Sequence, residues 1–347
     1  MDKVFKQIPK IIFGKNSICR IDELIQESSE KNVIIIVDEI LSGLEFDFLN
    51  CNSLEIKYFS ASQGEPSTDQ IDTLTEEIKS NSIPDVLVGI GGGSTLDVAK
   101  SVSVMLNNPG KSQEYQGWDL VKNPSIFKIG IPTISGSGAE ASRTAVLIGP
   151  QKKFGINSDY SMFDALILDS NLTDTVPDDQ KFFTGMDCYI HCVESLTGTF
   201  INSLSKSYAE KALEICSKSF LEKYDPDEMM VASYLGGASI VNSEVGICHA
   251  LSYGLSLEYK FRHGLANCIV FKQLEEFYEP YVSKFTKMMD TASIKLPDNL
   301  SSKFDKDSLE RMINMTLQME KPLTNALGSE WKNIMTPSKI KEIYMRM

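Results

Sequence analysis

No apolar run in this sequence approaches the ~18 residues that a bilayer span needs, and the opening MDKVFKQIPKIIFGK has no continuous apolar core of signal-peptide length. A cytoplasmic protein with no membrane partner is expected. Basic excess is also missing: 34 Lys and Arg stand against 47 Asp and Glu, a formal net charge of -13. Nucleic-acid binding rests on clustered cations that neutralise phosphates, so no nucleic-acid partner is expected. There is no C-x-x-C pair, and the seven cysteines are an odd number. Reduced, buried thiols are therefore expected in place of a disulfide framework, with Cys188 and Cys192 as core. Low-complexity tracts and internal repeats are absent, which excludes disordered and solenoid classes.

What is present suits an ordinary globular chain of two domains. The 347 residues exceed the size at which one core stops growing, and a 42% hydrophobic content can fill two. Up to residue 175, β-branched runs such as NVIIIVD, DVLVGIGGGS and FKIGIPTIS alternate with amphipathic stretches such as EPSTDQIDTLTEEIKS. Strands alternating with helices imply a parallel sheet, with Ser67 or Thr68 capping the helix that ends near Lys79. From 176 to 347 the β-branched runs give way to helix-periodic segments, including SKSYAEKALEICSKSFLEKY and SYGLSLEY. The breaks at Pro177, Pro226, Pro280, Pro297, Pro322 and Pro337 fit connections between helices. The fold class expected is an α/β dinucleotide-binding domain followed by an all-α domain.

The segment VLVGIGGGSTLDVAK passes from an apolar strand through Gly91, Gly92 and Gly93 into a helix that Ser94 is placed to cap. Free backbone N–H groups and the positive end of a helix dipole meet a phosphate in this geometry, although a plain strand-to-helix turn has the same look. A second glycine segment, PTISGSGAEAS, adds Thr133, Ser135 and Ser137 as short donors. Asp38 closes NVIIIVD, where a carboxylate can hold adenosine ribose hydroxyls or stand as a solvated strand end. Lys153 joins these residues as a cofactor-binding candidate.

Histidine is the scarcest informative residue, with only His191, His249 and His263 in the chain. Asp187 and His191 are four apart, so on a helix both side chains share one face about 6 Å apart along the axis. His249 and His263 are fourteen apart and would be separated by about 21 Å on one helix. The chain must reverse between them, and Glu258 to Arg262 followed by Gly264 is the place for it. One carboxylate and three imidazoles make a site suited to Fe(II) or Zn(II).

Together these features resemble the iron-containing alcohol dehydrogenase family over nearly the whole chain. Its D-x-x-x-H pattern with two further histidines fourteen apart is met by Asp187, His191, His249 and His263. GGGS-x-x-D-x-A-K is met by Gly91 to Lys100, and P-T-x-x-G-T-G-x-E by PTISGSGAE, with Ser137 in place of Thr. Many members carry a second histidine four residues after the third ligand, where it can relay a proton; here that position is Tyr253. Its hydroxyl can still pass a proton, as a poorer base near neutrality. The stretches NPGKSQEYQGWDL, GAEASRTAV, GINSDYSMFD and TGMDCYIHCVESLTGTF resemble the branch of the family that oxidises the terminal alcohol of an eight-carbon sugar acid.

The resemblance implies a metal-dependent alcohol oxidoreductase that uses NAD in preference to NADP, with oxygen as another candidate acceptor, and a homodimer is the expected assembly. Arg143 is the candidate anchor for the substrate's acid group, its other reading being an ion pair with a local acid such as Glu140. Rival readings are a dehydrogenase of another small alcohol or polyol, a sugar-phosphate cyclase with recycled NAD, and a binding protein without turnover.

Overall fold

A computed structural model describes residues 4–25, 31–43, 53–60, 64–150 and 153–347. They form two compact units, one from the described residues of 7–134 and 138–175, the other from 4–6, 135–137 and the described residues of 176–347.

The first unit holds a six-stranded sheet built from β1 (Lys10–Phe13), β2 (Asn32–Asp38), β3 (Ser53–Phe59), β4 (Val86–Gly91), β6 (Phe127–Pro132) and β9 (Ala165–Leu168). The strands are parallel throughout, in the order β1-β9-β6-β4-β2-β3. The continuous apolar runs follow from burial of both faces: Val33 to Val37 are all enclosed, and Val33, Ile35 and Val37 pack with Val86, Val88, Ile129 and Ile131 in one core. Two long helices serve this sheet, α1 (Thr68–Asn81) and α2 (Gly93–Asn107). Ser67 caps α1 as expected, its hydroxyl accepting from the Gln70 N–H at 3.2 Å while the Gln70 side chain accepts from the Ser67 N–H at 2.9 Å.

A second, three-stranded sheet, β5 (Gly117–Trp118), β8 (Lys153–Asn157) and β7 (Thr144–Ile148), was not foreseen from the sequence. The buried Lys100 fastens it to α2. Lys100 Nζ donates to the Thr144 carbonyl at 2.8 Å and to Ser142 Oγ at 3.0 Å, and Asp97 accepts from the Val146 N–H at 3.0 Å. Burial pushes the Asp97 carboxyl up to about 6, against the pull of Lys100.

The second unit contains α3 (Asp178–Thr197), α4 (Ser203–Leu221), α5 (Pro226–Asn242), α6 (Ile247–Tyr259), α7 (His263–Phe271), α8 (Tyr281–Thr291), α9 (Lys306–Gln318), α10 (Glu320–Leu327) and α11 (Pro337–Tyr344), and no strand among its described residues. Pro177 and Pro280 stand at N-caps, and Pro226 and Pro337 open their helices. Pro322 departs from the expected pattern, lying inside the first turn of α10, where a missing N–H costs nothing. Five of the six described cysteines are buried, but Cys19 is exposed, and Cys51 lies outside the described residues. No described helix is long and apolar enough to cross a membrane.

Candidate metal centre and cofactor loop

The helical unit gathers all three histidines around one carboxylate. Asp187 and His191 share a face of α3, as the spacing of four demands. His249 lies in the first turn of α6, and α6 ends at Tyr259, after which Lys260 takes a left-handed conformation (φ 59°) that turns the chain. His263 then opens α7, so the reversal falls inside the expected Glu258 to Arg262. Gly264 makes the return possible, because a Cβ there would lie 2.6 Å from the Phe183 carbonyl oxygen.

Three Nε2 atoms converge on Asp187 Oδ1, at 3.3 Å from His249, 3.6 Å from His191 and 3.7 Å from His263. Ligands bonded at about 2.1 Å to one ion are separated by about 3.0–3.4 Å, and the three oxygen–nitrogen separations lie close to that range, although His191 does not join the mutually close set of Asp187, His249 and His263. Asp187, His249 and His263 each present one ligand atom within 4.8 Å of the others, and His191 stacks on His249 with ring centroids 4.7 Å apart.

The Glu194 carboxylate lies 2.5 Å from His249 Nδ1 and can only accept, so Nδ1 donates to it, and Nε2 faces Asp187 Oδ1 at 3.3 Å. Burial opposes charge on both groups. The imidazoles nevertheless hold the Asp187 carboxyl well below the usual carboxylate range, and Glu194 and Asp187 push His249 up to about 9. Burial draws His191 down. Asp187, His191 and His249 are enclosed, whereas the His263 side chain is 29% exposed, making it the candidate ligand nearest to solvent.

Asn267 and Glu194 were missed by sequence reasoning. Asn267 follows His263 by one turn on α7, and its Nδ2 donates to Asp187 Oδ1 at 2.6 Å while lying 3.1 Å from His249 Nε2 and 3.2 Å from His263 Nε2. Glu194 continues the Asp187–His191 face by three residues. Spacings of four and three from a recognised ligand were the available signals. Tyr253, one turn after His249, places its ring edge-on to that of His263, with centroids 5.7 Å apart.

In the sheet unit, β2 leads outward to β3 while β4 leads the other way to β6, so the carboxyl ends of β2 and β4 form a topological switch point. Ligands of open α/β sheets bind at such a crevice. Asp38 ends β2 there, partly buried, with burial pushing its carboxyl upward. Gly91 ends β4 beside it, and the Thr133 N–H donates to the Gly91 carbonyl at 3.0 Å, bringing the two glycine segments together. Ser94 is not the cap: α2 begins at Gly93 with Gly92 as its N-cap and no capping side chain. The strand runs into the helix two residues earlier than expected, leaving the first-turn N–H groups without a side-chain cap.

Ser135 and Ser137 belong to the helical unit. Between them Gly136 (φ 131°) donates its N–H to Ser233 Oγ at 2.7 Å, and Ser135 Oγ is buried without a hydrogen-bond partner. Lys153 is buried on β8 and pairs with Glu65 at 2.6 Å. Arg143 pairs with Asp119 and, at 2.8 Å, with Asp159, so its local acids are these two and not Glu140. Glu140 is closer in sequence, but the folding of β5 and β8 beside β7 delivers the other two.

Comparison with known proteins agrees with this geometry. Residues 9–170 match the model of iron-containing alcohol dehydrogenases, and residues 181–326 match the C-terminal model of the same family. Sulfoacetaldehyde reductase of Bilophila wadsworthia is 33% identical over 273 residues, covering 75% of this chain and 70% of that one. NADPH-dependent butanol dehydrogenase of Clostridium saccharobutylicum is 25% identical, covering 83% and 74%. The iron-containing alcohol dehydrogenase structure from Thermococcus thioreducens shares the fold with a TM-score of 0.83 at 22% identity, covering 99% of this chain and 98% of that one. The chain belongs to the iron-containing alcohol dehydrogenase family, and is a metal-dependent alcohol oxidoreductase.

Proposed function

We propose that the enzyme oxidises the terminal C8 alcohol of 3-deoxy-D-manno-octulosonate to the aldehyde, with NAD as hydride acceptor, ahead of amination to an 8-amino sugar of lipopolysaccharide. The observation that carries the oxidoreductase chemistry is the convergence of three imidazole Nε2 atoms on Asp187 Oδ1. The substrate assignment rests on the sequence stretches that resemble the sugar-acid branch. Three of them supply Asp119, Arg143 and Asp159, which meet in one ion-paired cluster, so these stretches build a common local structure. Sulfoacetaldehyde, named for the 33% identical relative, is likewise a small acid bearing an aldehyde. A simpler anionic alcohol of that kind is the second reading.

Asp187, His191, His249 and His263 would hold the metal, whose Lewis acidity favours the alkoxide form of a bound alcohol. Tyr253, whose ring lies against that of His263, would carry the hydroxyl proton away in this reading. The uncapped start of α2 and the backbone of Gly91 to Gly93 suit the pyrophosphate of NAD, and Asp38 suits its ribose hydroxyls. Ser94, Thr133, Ser135 and Ser137 remain donors to the cofactor in this reading, and Lys153, paired with Glu65, is a further cofactor-binding candidate. A structure of sulfoacetaldehyde reductase from Bifidobacterium kashiwanohense in complex with NAD+ has the same fold, with a TM-score of 0.82. The test is NADH formation on 3-deoxy-D-manno-octulosonate, isethionate and neutral primary alcohols; the proposal expects the sugar acid to give the highest kcat/KM, and a neutral alcohol ahead of both acids would reject it.

A further inference from the structure

We propose that Glu194 is a positioning residue that holds His249 in the metal-binding tautomer and caps the helix that carries it. This rests on the metal reading above. Glu194 is 1% exposed, and its two oxygens face three donors. Oε1 accepts from the Cys248 N–H at 2.6 Å and from the Tyr278 hydroxyl at 3.3 Å, while Oε2 lies 2.5 Å from His249 Nδ1. Cys248 is in the first turn of α6, so a carboxylate from α3 satisfies a helix N-terminus that has no cap of its own. The Tyr278 hydroxyl oxygen accepts from the Ile247 N–H at 3.1 Å, completing that turn. Gly246 permits the approach: a Cβ there would lie 2.7 Å from the Tyr278 oxygen and 3.0 Å from Glu194 Oε1.

The arrangement fixes which nitrogen of His249 keeps its proton when the ring is neutral. A carboxylate has no proton to give, so Nδ1 donates and Nε2 keeps the lone pair that a metal needs. His191 has no such device, its Nδ1 being buried without a partner. An isosteric amide separates positioning from bulk. In Glu194→Gln one oxygen still accepts, but an NH2 replaces the other. If the oxygen stays on the Cys248 N–H, the NH2 faces Nδ1, and His249 must move its proton to Nε2, where it blocks ligation. The backbone N–H cannot change its role, so the imidazole is the partner that yields.

The experiment titrates metal-free wild type, Glu194→Gln and Tyr278→Phe with Co2+, following the visible spectrum of the bound ion and the thermal midpoint. Glu194→Gln is expected to weaken cobalt binding by about ten- to a hundredfold, the range for lost outer partners of ligating histidines. Tyr278→Phe keeps the contact to Nδ1 and should change affinity less than about threefold. Wild-type affinity in a folded Glu194→Gln, or equal losses in both variants, overturns the proposal. A wild type that takes up no cobalt instead overturns the metal reading. Should Glu194→Gln fail to fold, selective 15N labelling of the three histidines in zinc-loaded wild type decides: a proton on His249 Nδ1 supports the proposal and one on Nε2 defeats it.

Discussion

Replacing His263 with Ala removes the candidate ligand nearest to solvent, and the structure allows its effect to be sized. The three Nε2 atoms stand at comparable distances, 3.3 to 3.7 Å, from Asp187 Oδ1, so no imidazole is placed as a dominant ligand. Four-ligand protein sites hold Zn2+ with about 10–16 kcal/mol, which shared equally gives about 2.5–4 kcal/mol per ligand. The variant should therefore bind metal about two to three decades more weakly, at 1.4 kcal/mol per decade. Folding should suffer little, because the side chain is 29% exposed and stands at the first position of α7, where Ala is tolerated. The assay is metal content after dialysis against a weak chelator, read beside the thermal midpoint of the metal-free protein. Full metal content with a normal rate would remove His263 from the centre, and a collapse of the metal-free midpoint would make its role structural.

Other consequences follow from the same geometry. Asp38→Gly should erode a preference for NAD over NADP, because the carboxylate that would accept from ribose hydroxyls also repels a 2'-phosphate; an unchanged ratio of kcat/KM would show that Asp38 does not face the ribose. Arg143→Lys should lower stability by about 1–2 kcal/mol, since Lys keeps the charge but loses the fork between Asp119 and Asp159, whose exposure limits the value of the pairs. It should reduce kcat/KM equally for a sugar acid and a neutral alcohol; a selective loss on the acid would assign Arg143 as the substrate anchor. Gly136→Ala should destabilise by about 2–4 kcal/mol in denaturant unfolding, because φ is 131° and the new Cβ would lie 2.0 Å from the Thr184 carbonyl oxygen. His249, raised to about 9 in the metal-free protein, must lose a proton to ligate, so apparent metal affinity should climb about tenfold per pH unit from neutrality and level off above about 9. A flat profile across that window would show that His249 binds metal without releasing a proton.

The parts of the fold legible in the sequence were those encoded at short range. Asp187 and His191 announce themselves by a spacing of four, Ser67 by its capping box, and β2 by five successive enclosed apolar residues. The turn between His249 and His263 was legible because the alternative was geometrically excluded. What escaped was set by contacts between distant segments. Asp119 reaches Arg143 through the pairing of β5 with β8, and no local pattern marks that partnership. Tyr278 reaches Glu194 across 84 positions. Ser94 misled because a hydroxyl beside a glycine run looks like a cap, whereas the helix starts on Gly93 and places Ser94 within its first turn. Glu194 and Asn267 were within reach, since both share helix faces with recognised ligands, but carboxylates and amides are common enough on helices that spacing alone does not single them out.

In the proposed reading, the centre of Asp187, His191, His249 and His263 holds the metal with which the enzyme oxidises an alcohol, a nicotinamide accepting the hydride. Reduced-nicotinamide absorbance, followed for metal-free protein and for protein reconstituted with Fe2+ or Zn2+ on the panel of sugar acid, isethionate and neutral alcohols, tests this most directly. Turnover that appears only with metal, and disappears when a chelator removes it, is the predicted result. Alcohol oxidation at the same rate in metal-free protein, or no NADH from any substrate by metal-loaded protein, would contradict it.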